Sequence, residues 1–292
     1  KEFIQEVGYP VIVKPNRGVG ACDTWKITNE QELEQFFRNL PSIPYIMEEF
    51  VPGEICSYDA IVNSKGTVLF ETGNVTPISI MDSVNNHGSI RFYIVDHVAE
   101  DLKAAGRACL KAFRVRSRFV HLEFFRLTED HPYLGPKGQV VGLEVNMRPS
   151  GGPTPDMVNF AYSTDCYQHY ADMMVYDKLR HQTKSTHCFC AYVGRWKELP
   201  YLHSHEEILT EFSDSLKLRF WNNEKPGVRF YINAAAKYIL ENQQEQSEKT
   251  GNSYPTVGST FGEWSVWDLL RGMYTGADYI NSIPENYFSD YL

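Results

Sequence analysis

Two apolar segments that carry acidic residues constrain the fold of this chain more than any other feature of its sequence. Glu123 interrupts the apolar segment 119–127, and Glu144 and Asn146 interrupt the segment 140–146. Side chains two residues apart in a strand point to the same face, so Glu144 and Asn146 share one face. Because burying an unpaired carboxylate is costly, we expect the chain to fold so that a cation reaches these side chains.

A polar loop joins the two segments, which predicts that they pair as antiparallel strands. This pairing would gather the carboxylates of Glu123 and Glu144 and the amide oxygen of Asn146 on one face. Hard oxygen ligands of this kind suit Mg²⁺, with Mn²⁺ as an alternative. Arg148 follows closely, and its guanidinium fork can bind a phosphoryl group or a substrate carboxylate. The alternative interpretation is ordinary salt bridges, or a sheet face that is turned to solvent.

A second motif joins a lysine to a glycine-bearing loop. Lys14 follows the apolar strand 11–13 and precedes Gly18 and Gly20, and the segment 25–27 is expected to return as the second strand of a hairpin. The ammonium group supplies a point charge for phosphate oxygens, while glycines let backbone N–H groups approach them. No Gly-Lys-Ser/Thr sequence follows, so this is not a P-loop of the Walker type. By itself, a lysine at a strand end beside a glycine turn is also commonplace.

A third motif is an acidic and apolar strand end that runs into the turn at residues 52–53. Glu48, Glu49, Phe50 and Val51 form this end, and Glu54 follows the turn. Such a segment is typical of a hinge between subdomains, where backbone groups can bind the edge of an adenine ring. A nearby carboxylate can accept hydrogen bonds from ribose hydroxyls. The alternative interpretation is a solvated hairpin corner.

The remaining pattern predicts a mixed α+β chain. Segments with a helical period are 1–7, 30–39, 102–113 and 165–179, and the first of these ends at Gly8. Further strands are predicted at 45–51, 55–62 and 67–70, whereas 148–156 is expected to be irregular and 71–95 has no clear pattern. Beyond residue 182 we expect strands at 188–193 and 228–232 and helices at 206–212 and 234–246.

Composition narrows the class of protein. A net charge of −9 argues against a general nucleic-acid surface, and no apolar run reaches the ~18 residues that a membrane span needs. The six cysteines are scattered, which is typical of reduced thiols in a cytoplasmic protein. A zinc site at Cys188, Cys190 and His187 would lack a fourth ligand. We therefore expect a cytoplasmic protein without nucleic-acid or membrane partners.

The order of the three motifs resembles that of the ATP-grasp superfamily over roughly residues 1–180. The run from Glu144 to Gly152, Glu-Val-Asn-Met-Arg-Pro-Ser-Gly-Gly, looks especially like the carboxylate–amine ligase branch. That branch includes amino-acid ligases and carbamoyl-phosphate-synthase-like proteins. The resemblance implies an ATP-grasp fold, in which two α+β subdomains clamp ATP. It also implies three regions, namely a small lid subdomain at 1–47, a large subdomain with the magnesium site at 48–181, and a C-terminal α+β extension at 182–292.

The resemblance also implies roles for individual residues. Lys14, Gly18 and Gly20 would hold the phosphates, main-chain atoms at Glu48 and Val51 would hold adenine, with Glu49 and Phe50 between them, and Glu54 would bind ribose. The magnesium ligands would be Glu123, Glu144 and Asn146. Arg148 and Lys14 would act in catalysis. Ser150, Gly151 and Gly152 offer backbone N–H groups for a substrate carboxylate.

The activity that follows from the resemblance is an ATP- and Mg²⁺-dependent ligation. A carboxylate becomes an acyl phosphate, and an amine then attacks it; both partners are small molecules, amino acids included. Two alternatives stay open, an ATP-binding module without turnover and a carbamoyl-phosphate-synthase-like enzyme that uses bicarbonate. A purely structural dimerisation protein is a further hypothesis, and the sequence leaves room for a homodimer. Because the N-terminal domain common in this superfamily has no counterpart here, we expect a longer parent protein.

Overall fold

A computed structural model of the chain describes residues 2–16, 23–77, 91–180, 187–194 and 200–217, together with two short strands near the C-terminus. The helices are α1 (Glu2–Val7), α2 (Glu30–Arg38), α3 (Glu100–Ala112), α4 (Thr154–Tyr162), α5 (Cys166–Tyr176) and α6 (His205–Glu211). The strands are β1 (Val11–Pro15), β2 (Trp25–Ile27), β3 (Tyr45–Glu49), β4 (Gly53–Val62), β5 (Val68–Thr76), β6 (Arg91–Ile94), β7 (Arg118–Leu127), β8 (Val140–Asn146), β9 (Cys190–Val193), β10 (Thr260–Phe261) and β11 (Trp264–Ser265).

The N-terminal strands form a small antiparallel sheet in the order β2-β1-β3. The hairpin predicted for β1 and β2 is confirmed, since Val11 pairs with Ile27 and the two strands run antiparallel. Helix α2 covers one face of this sheet and buries Leu33 there. Its predicted start is also confirmed, because the Asn29 side chain accepts a hydrogen bond from the Glu32 N–H at 3.0 Å. Phe37, which shares the helical period of Leu33, is nevertheless 56% exposed.

A six-stranded sheet, in the order β8-β7-β4-β5-β6-β9, forms the larger part of the fold, and each of its strand pairs is antiparallel. β4 lies near its centre, and the unbroken burial of residues 56–62 of β4 and 119–122 of β7 shows that both faces of the sheet are covered there. Helix α3 packs on one face, where Gly106 lets the helix approach the ring of Tyr58. The other face of the sheet carries the candidate site, next to the helices that pack on it.

That second face is apolar at one end and polar at the other. Its apolar end packs against helices α4 and α5 through Ile61, Phe119 and Tyr170. Its polar end presents buried side chains from adjacent strands, among them Asp59 of β4 and His121 of β7. Buried polar groups need hydrogen-bond partners. This half of the face therefore carries a polar network in place of apolar packing.

Two elements differ from the sequence-based prediction. Helix α4 begins at Thr154, inside the segment 148–156 that was expected to be irregular. The prolines there do not prevent a helix, because Pro153 is its N-cap and Pro155 lies in the first turn, where no intrahelical N–H donor is needed. Strand β5 continues to Thr76, so the unassigned segment begins as strand.

The division into 1–47, 48–181 and 182–292 stays a prediction. Strand β3 runs from Tyr45 to Glu49, and β9 lies beyond residue 182 yet pairs with β6 in the large sheet. The predicted strand 228–232 and helix 234–246 lie outside the described residues, as does the rest of the segment after residue 217 apart from β10 and β11. In the part of the chain that the structure describes, no helix combines the length and the apolarity needed to cross a bilayer.

Candidate functional site

Strands β7 and β8 bring two carboxylates together as the sequence predicts. Glu123 lies directly opposite Glu144, and His121 lies opposite Asn146, so all four residues are on one face of the antiparallel pair. The register shifts immediately after Glu123, where Phe124 pairs with Gly142. An irregularity of this kind next to a polar cluster re-aims side chains, which is common beside functional sites.

The two carboxylates interact strongly with each other. Burial and the Glu123 charge raise the pKa of Glu144, although Lys14 and Arg148 act in the opposite direction. Burial by itself would raise the pKa of Glu123, but the hydrogen bond and charge of His121 outweigh it and hold that pKa below its usual value. Two like charges held this close are a ready site for a cation, since a bound cation would let both carboxyl groups ionise.

His121 bridges the acidic pair to a second buried acid. Its Nδ1 lies 2.8 Å from Asp59 Oδ1, and its Nε2 lies 3.1 Å from Glu123 Oε1. The other oxygen of Asp59 accepts a hydrogen bond from the Ser57 hydroxyl. Burial alone would lower the pKa of His121, but the two carboxylates raise it to about 10. A protonated imidazole therefore connects β4 to the acidic pair.

Lys14 reaches the site from the small sheet. Its Nζ lies 2.7 Å from Glu48 Oε2 of the neighbouring strand β3, and its positive charge lowers the pKa of Glu144. Lys14 therefore lies close enough to act on the acidic pair of Glu123 and Glu144, although more than 100 residues separate them in sequence. Arg148 adds a second positive charge, which lowers the pKa values of Glu123 and Glu144, and its Nη1 donates to the Pro149 carbonyl at 2.9 Å.

The backbone of β3 bears on the predicted adenine contact. Phe50 N donates to Pro10 O, and Asn16 N donates to Pro44 O, so the even-numbered residues of β3 direct their main-chain groups towards β1. The main chain of Glu48 therefore faces β1 in this sheet, and its contact with adenine stays a prediction. The open edge of the sheet instead presents the main chain of Glu49, because alternate residues of a strand face opposite sides.

Side chains near this open edge contact one another. Glu49 Oε1 lies 3.3 Å from His131 Nε2, which comes from the loop between β7 and β8. Lys26 Nζ lies 3.8 Å from the centroid of the Phe50 ring. Lys26 pairs with Ile12 in the register of the sheet and shares the face of Lys14. A second lysine thus lies on the side of the small sheet that Lys14 occupies.

Other predicted residues are not part of this group. Glu54 is an odd number of positions from Ser57 and Asp59 in β4, so its side chain points to the opposite face, which packs on α3. Its predicted ribose contact gains no support from this position. Gly18 and Gly20 lie outside the described residues.

The sequence analysis did not identify Asp59 and His121 as site residues, although each has a sequence feature that indicates its position. His121 precedes Glu123 by two residues in a predicted strand, which places both on one face. Asp59 interrupts the apolar segment 55–62 just as Glu123 interrupts 119–127. The five described cysteines are free thiols, and no three His, Cys, Asp or Glu side chains within the described ranges are arranged to hold a metal ion on their own.

One family model and several solved structures match parts of this chain. Residues 1–114 match the ATP-grasp domain. The biotin carboxylase domain of Hydrogenobacter thermophilus 2-oxoglutarate carboxylase, solved with MgADP, ADP and bicarbonate, matches with 14% identity and a TM-score of 0.50, over 65% of this chain and 42% of that one. At this identity the likeness shows the fold alone.

Two further solved structures are similar. Phosphoribosylglycinamide synthetase from Anaerococcus prevotii matches with 20% identity and a TM-score of 0.42, over 64% of this chain and 46% of that one. An L-amino acid ligase from Bacillus licheniformis matches with 16% identity and a TM-score of 0.41, over 56% and 38% of the two chains. The present chain spans less than half the length of each of these three structures. We conclude that residues 1–114 of this chain match the ATP-grasp domain and that its mixed α+β fold is similar to that of the carboxylase domain.

Proposed function

We propose that this chain contains the nucleotide-binding and catalytic part of a ligase that uses ATP and Mg²⁺ to activate a carboxylate for attack by an amine. The observation that carries the proposal is the face-to-face pair Glu123 and Glu144, with Asn146 on the same face and the Lys14 charge acting on Glu144. The carboxylates and the amide would hold a divalent cation, and the Lys14 ammonium would bind a phosphate group. The match of residues 1–114 to the ATP-grasp domain supports ATP as the nucleotide.

The donor set fits Mg²⁺. Two carboxylates and one amide oxygen are hard ligands, and the raised pKa of Glu144 marks a negative charge that lacks compensation. They do not form a complete cage, which suits a metal that shares its coordination with water and nucleotide phosphates. When bound, Mg²⁺ would neutralise charge on the phosphate oxygens during phosphoryl transfer.

Lys14 is suited to exchange its present partner for a phosphate. Its pair with Glu48 is partly exposed, with 27% and 43% of the two side chains accessible. Ion pairs in such positions contribute no more than about 1 kcal/mol, so a polyphosphate can replace Glu48 at little cost. Adenine would bind at the open edge of β3, where the Glu49 main chain and Val51 lie beside Phe50.

Arg148 and the start of α4 would hold the carboxylate that is activated. The guanidinium fork matches a carboxylate or an acyl phosphate, and the backbone N–H groups at Gly151 and Gly152 precede a helix N-terminus, which favours anions. The carboxylate oxygen attacks the γ-phosphorus and ADP leaves. The amine nitrogen then attacks the acyl carbon, phosphate leaves, and the amine gives up a proton as the amide bond forms. Both substrates are small molecules, with amino acids as the first candidates.

The test measures ADP release and amide formation together. Purified protein is incubated with ATP and Mg²⁺ and a panel of carboxylates and amines, with bicarbonate as a separate arm, and products are identified by mass. We expect ADP release that requires both a carboxylate and an amine, and its loss in Glu144→Ala with retained folding. A matched control is Glu129→Gln, which removes an exposed carboxylate away from the site.

The outcomes separate the rival functions. Binding of ATP and Mg²⁺ without ADP release under any substrate pair would favour a nucleotide-binding module. Release that depends on bicarbonate alone would favour the carbamoyl-phosphate-synthase-like alternative. A protein whose melting temperature does not respond to ATP and Mg²⁺ at all would refute the proposed nucleotide site, because a ligand at 100 times its Kd stabilises by about 2.7 kcal/mol.

A further inference from the structure

We propose that His121 is a positioning residue, which is held by Asp59 and orients the carboxylate of Glu123 for a divalent cation. This inference rests on the proposed function, because it assigns a role around the same metal site. It adds two residues from β4 and β7 that neither the sequence motifs nor the predicted ligands include.

Both ring nitrogens of His121 are occupied by carboxyl groups. They lie 2.8 Å from Asp59 Oδ1 and 3.1 Å from Glu123 Oε1. Because each nitrogen is engaged in a hydrogen bond, neither is available as a metal ligand. His121 therefore acts on the site through Glu123 and is not itself a ligand.

The histidine is held where a metal-binding carboxylate needs support. His121 and Asp59 are 6% and 3% exposed, and they occupy adjacent central strands of the large sheet, opposite each other in register. A free glutamate side chain rotates about three bonds, whereas the hydrogen bond between His121 Nε2 and Oε1 restricts the rotation of Glu123. Supporting groups of this kind typically change metal affinity by about 10–100-fold when they are removed.

Two substitutions at one position distinguish this role from a structural one. In His121→Gln, the side-chain amide nitrogen lies near the position of Nε2 and can still donate to Glu123, but not to Asp59. In His121→Asn, the shorter amide takes the position of Nδ1, so it can donate to Asp59 but does not reach Glu123. A merely structural pair would tolerate the asparagine better, whereas a positioning role requires the glutamine.

The readout is direct binding of Mn²⁺ in the presence of ADP, followed by the electron paramagnetic resonance signal of free Mn²⁺. We expect His121→Asn to weaken Mn²⁺ binding by about 10–100-fold. His121→Gln should remain close to the unaltered protein. The control His169→Gln changes another buried histidine, which is 3% exposed in α5 and hydrogen-bonded to Thr164, and it should leave Mn²⁺ affinity unchanged.

Thermal unfolding without metal establishes that each variant is folded. If His121→Asn does not fold, Asp59→Asn serves instead, because an amide oxygen accepts from Nδ1 more weakly than a carboxylate and holds the ring less firmly. Weaker Mn²⁺ binding is expected. Unchanged Mn²⁺ affinity in the folded asparagine variant, or equal weakening by both His121 substitutions, would overturn the positioning role. Failure of the unaltered protein to bind Mn²⁺ with ADP would instead overturn the proposed function and this inference with it.

Discussion

Replacing Glu144 with glutamine should make the nucleotide-free protein more stable and the nucleotide-bound protein less stable than the unaltered one. Without a cation, Glu144 and Glu123 repel each other across the β7–β8 pair, and this repulsion contributes to the raised pKa of Glu144. The glutamine keeps the size and polarity of the side chain but removes the charge. It therefore relieves the repulsion and weakens the metal site in a single step.

The expected gain is small. Like charges directly opposite each other in antiparallel strands destabilise by about 0.2–1 kcal/mol. Glu144 is partly in contact with solvent, which screens the interaction, and Lys14 and Arg148 already offset a share of it. We therefore expect about 0.5 kcal/mol of stabilisation, which corresponds to a rise in melting temperature of roughly 1–2 °C for a domain of this size.

The effect of ligand is larger and has the opposite sign. At 100 times its Kd, Mg²⁺ with ADP should stabilise the unaltered protein by about 2.7 kcal/mol. The Glu144→Gln variant lacks one of the two negative ligands and should gain much less at the same concentrations. The order of stability of the two proteins should therefore reverse when Mg²⁺ and ADP are added.

Calorimetric unfolding of both proteins, with and without Mg²⁺ and ADP, tests this reversal. Glu129→Gln is the control for loss of a surface charge, and Mg²⁺ with ADP should stabilise it by the same amount as the unaltered protein. The reasoning is refuted if Glu144→Gln is less stable without ligand, since that would mean the carboxylate is stabilised by its surroundings. An equal ligand-induced gain in both proteins would show that Glu144 does not take part in binding.

Three further predictions concern stability. Gly106→Ala should destabilise by about 1–3 kcal/mol in urea unfolding despite the better helix propensity of alanine, because the new Cβ would lie 2.3 Å from Cδ1 of the buried Tyr58 ring; a neutral or stabilising effect would contradict this packing. Burial alone would raise the pKa of Glu71. A hydrogen bond from Tyr58 and the positive charges of Arg107 and Lys103 outweigh burial and hold this pKa below 4.5. The stability that Glu71 confers is therefore present above about pH 4.5 and lost as the pH falls through the lowered pKa. Glu71→Gln should make the free energy of unfolding fall less steeply between neutral and acid pH, and an unchanged pH dependence would contradict this role. Asp177→Ala should cost about 1–2 kcal/mol, because it removes the acceptor of two hydrogen bonds from Ser64, at 2.6 and 2.8 Å; Asp177→Asn, which keeps an acceptor, should cost less.

Local patterns in the sequence were sufficient for most elements near the site. Strand β8 has the predicted bounds, 140–146, and β2 returns beside β1 as a hairpin. These features follow from side-chain period, turns and caps, all of which act over a few residues. The same locality explains the missed helix α4, since a segment rich in glycine and proline has weak local preferences and gains its helix by packing Met157 and Val158 into the core.

The sequence by itself determined which residues share a strand face, and hence that Glu144 and Asn146 point the same way. It also determined the order of the lysine, hinge and acidic motifs. Only the tertiary structure decided that Glu123 lies opposite Glu144, that His121 connects Glu123 to Asp59 across 62 residues of sequence, and that the main chain of Glu48 is used within its own sheet. Strand register and long-range contacts depend on how whole surfaces pack together, so no short segment contains the information that selects them.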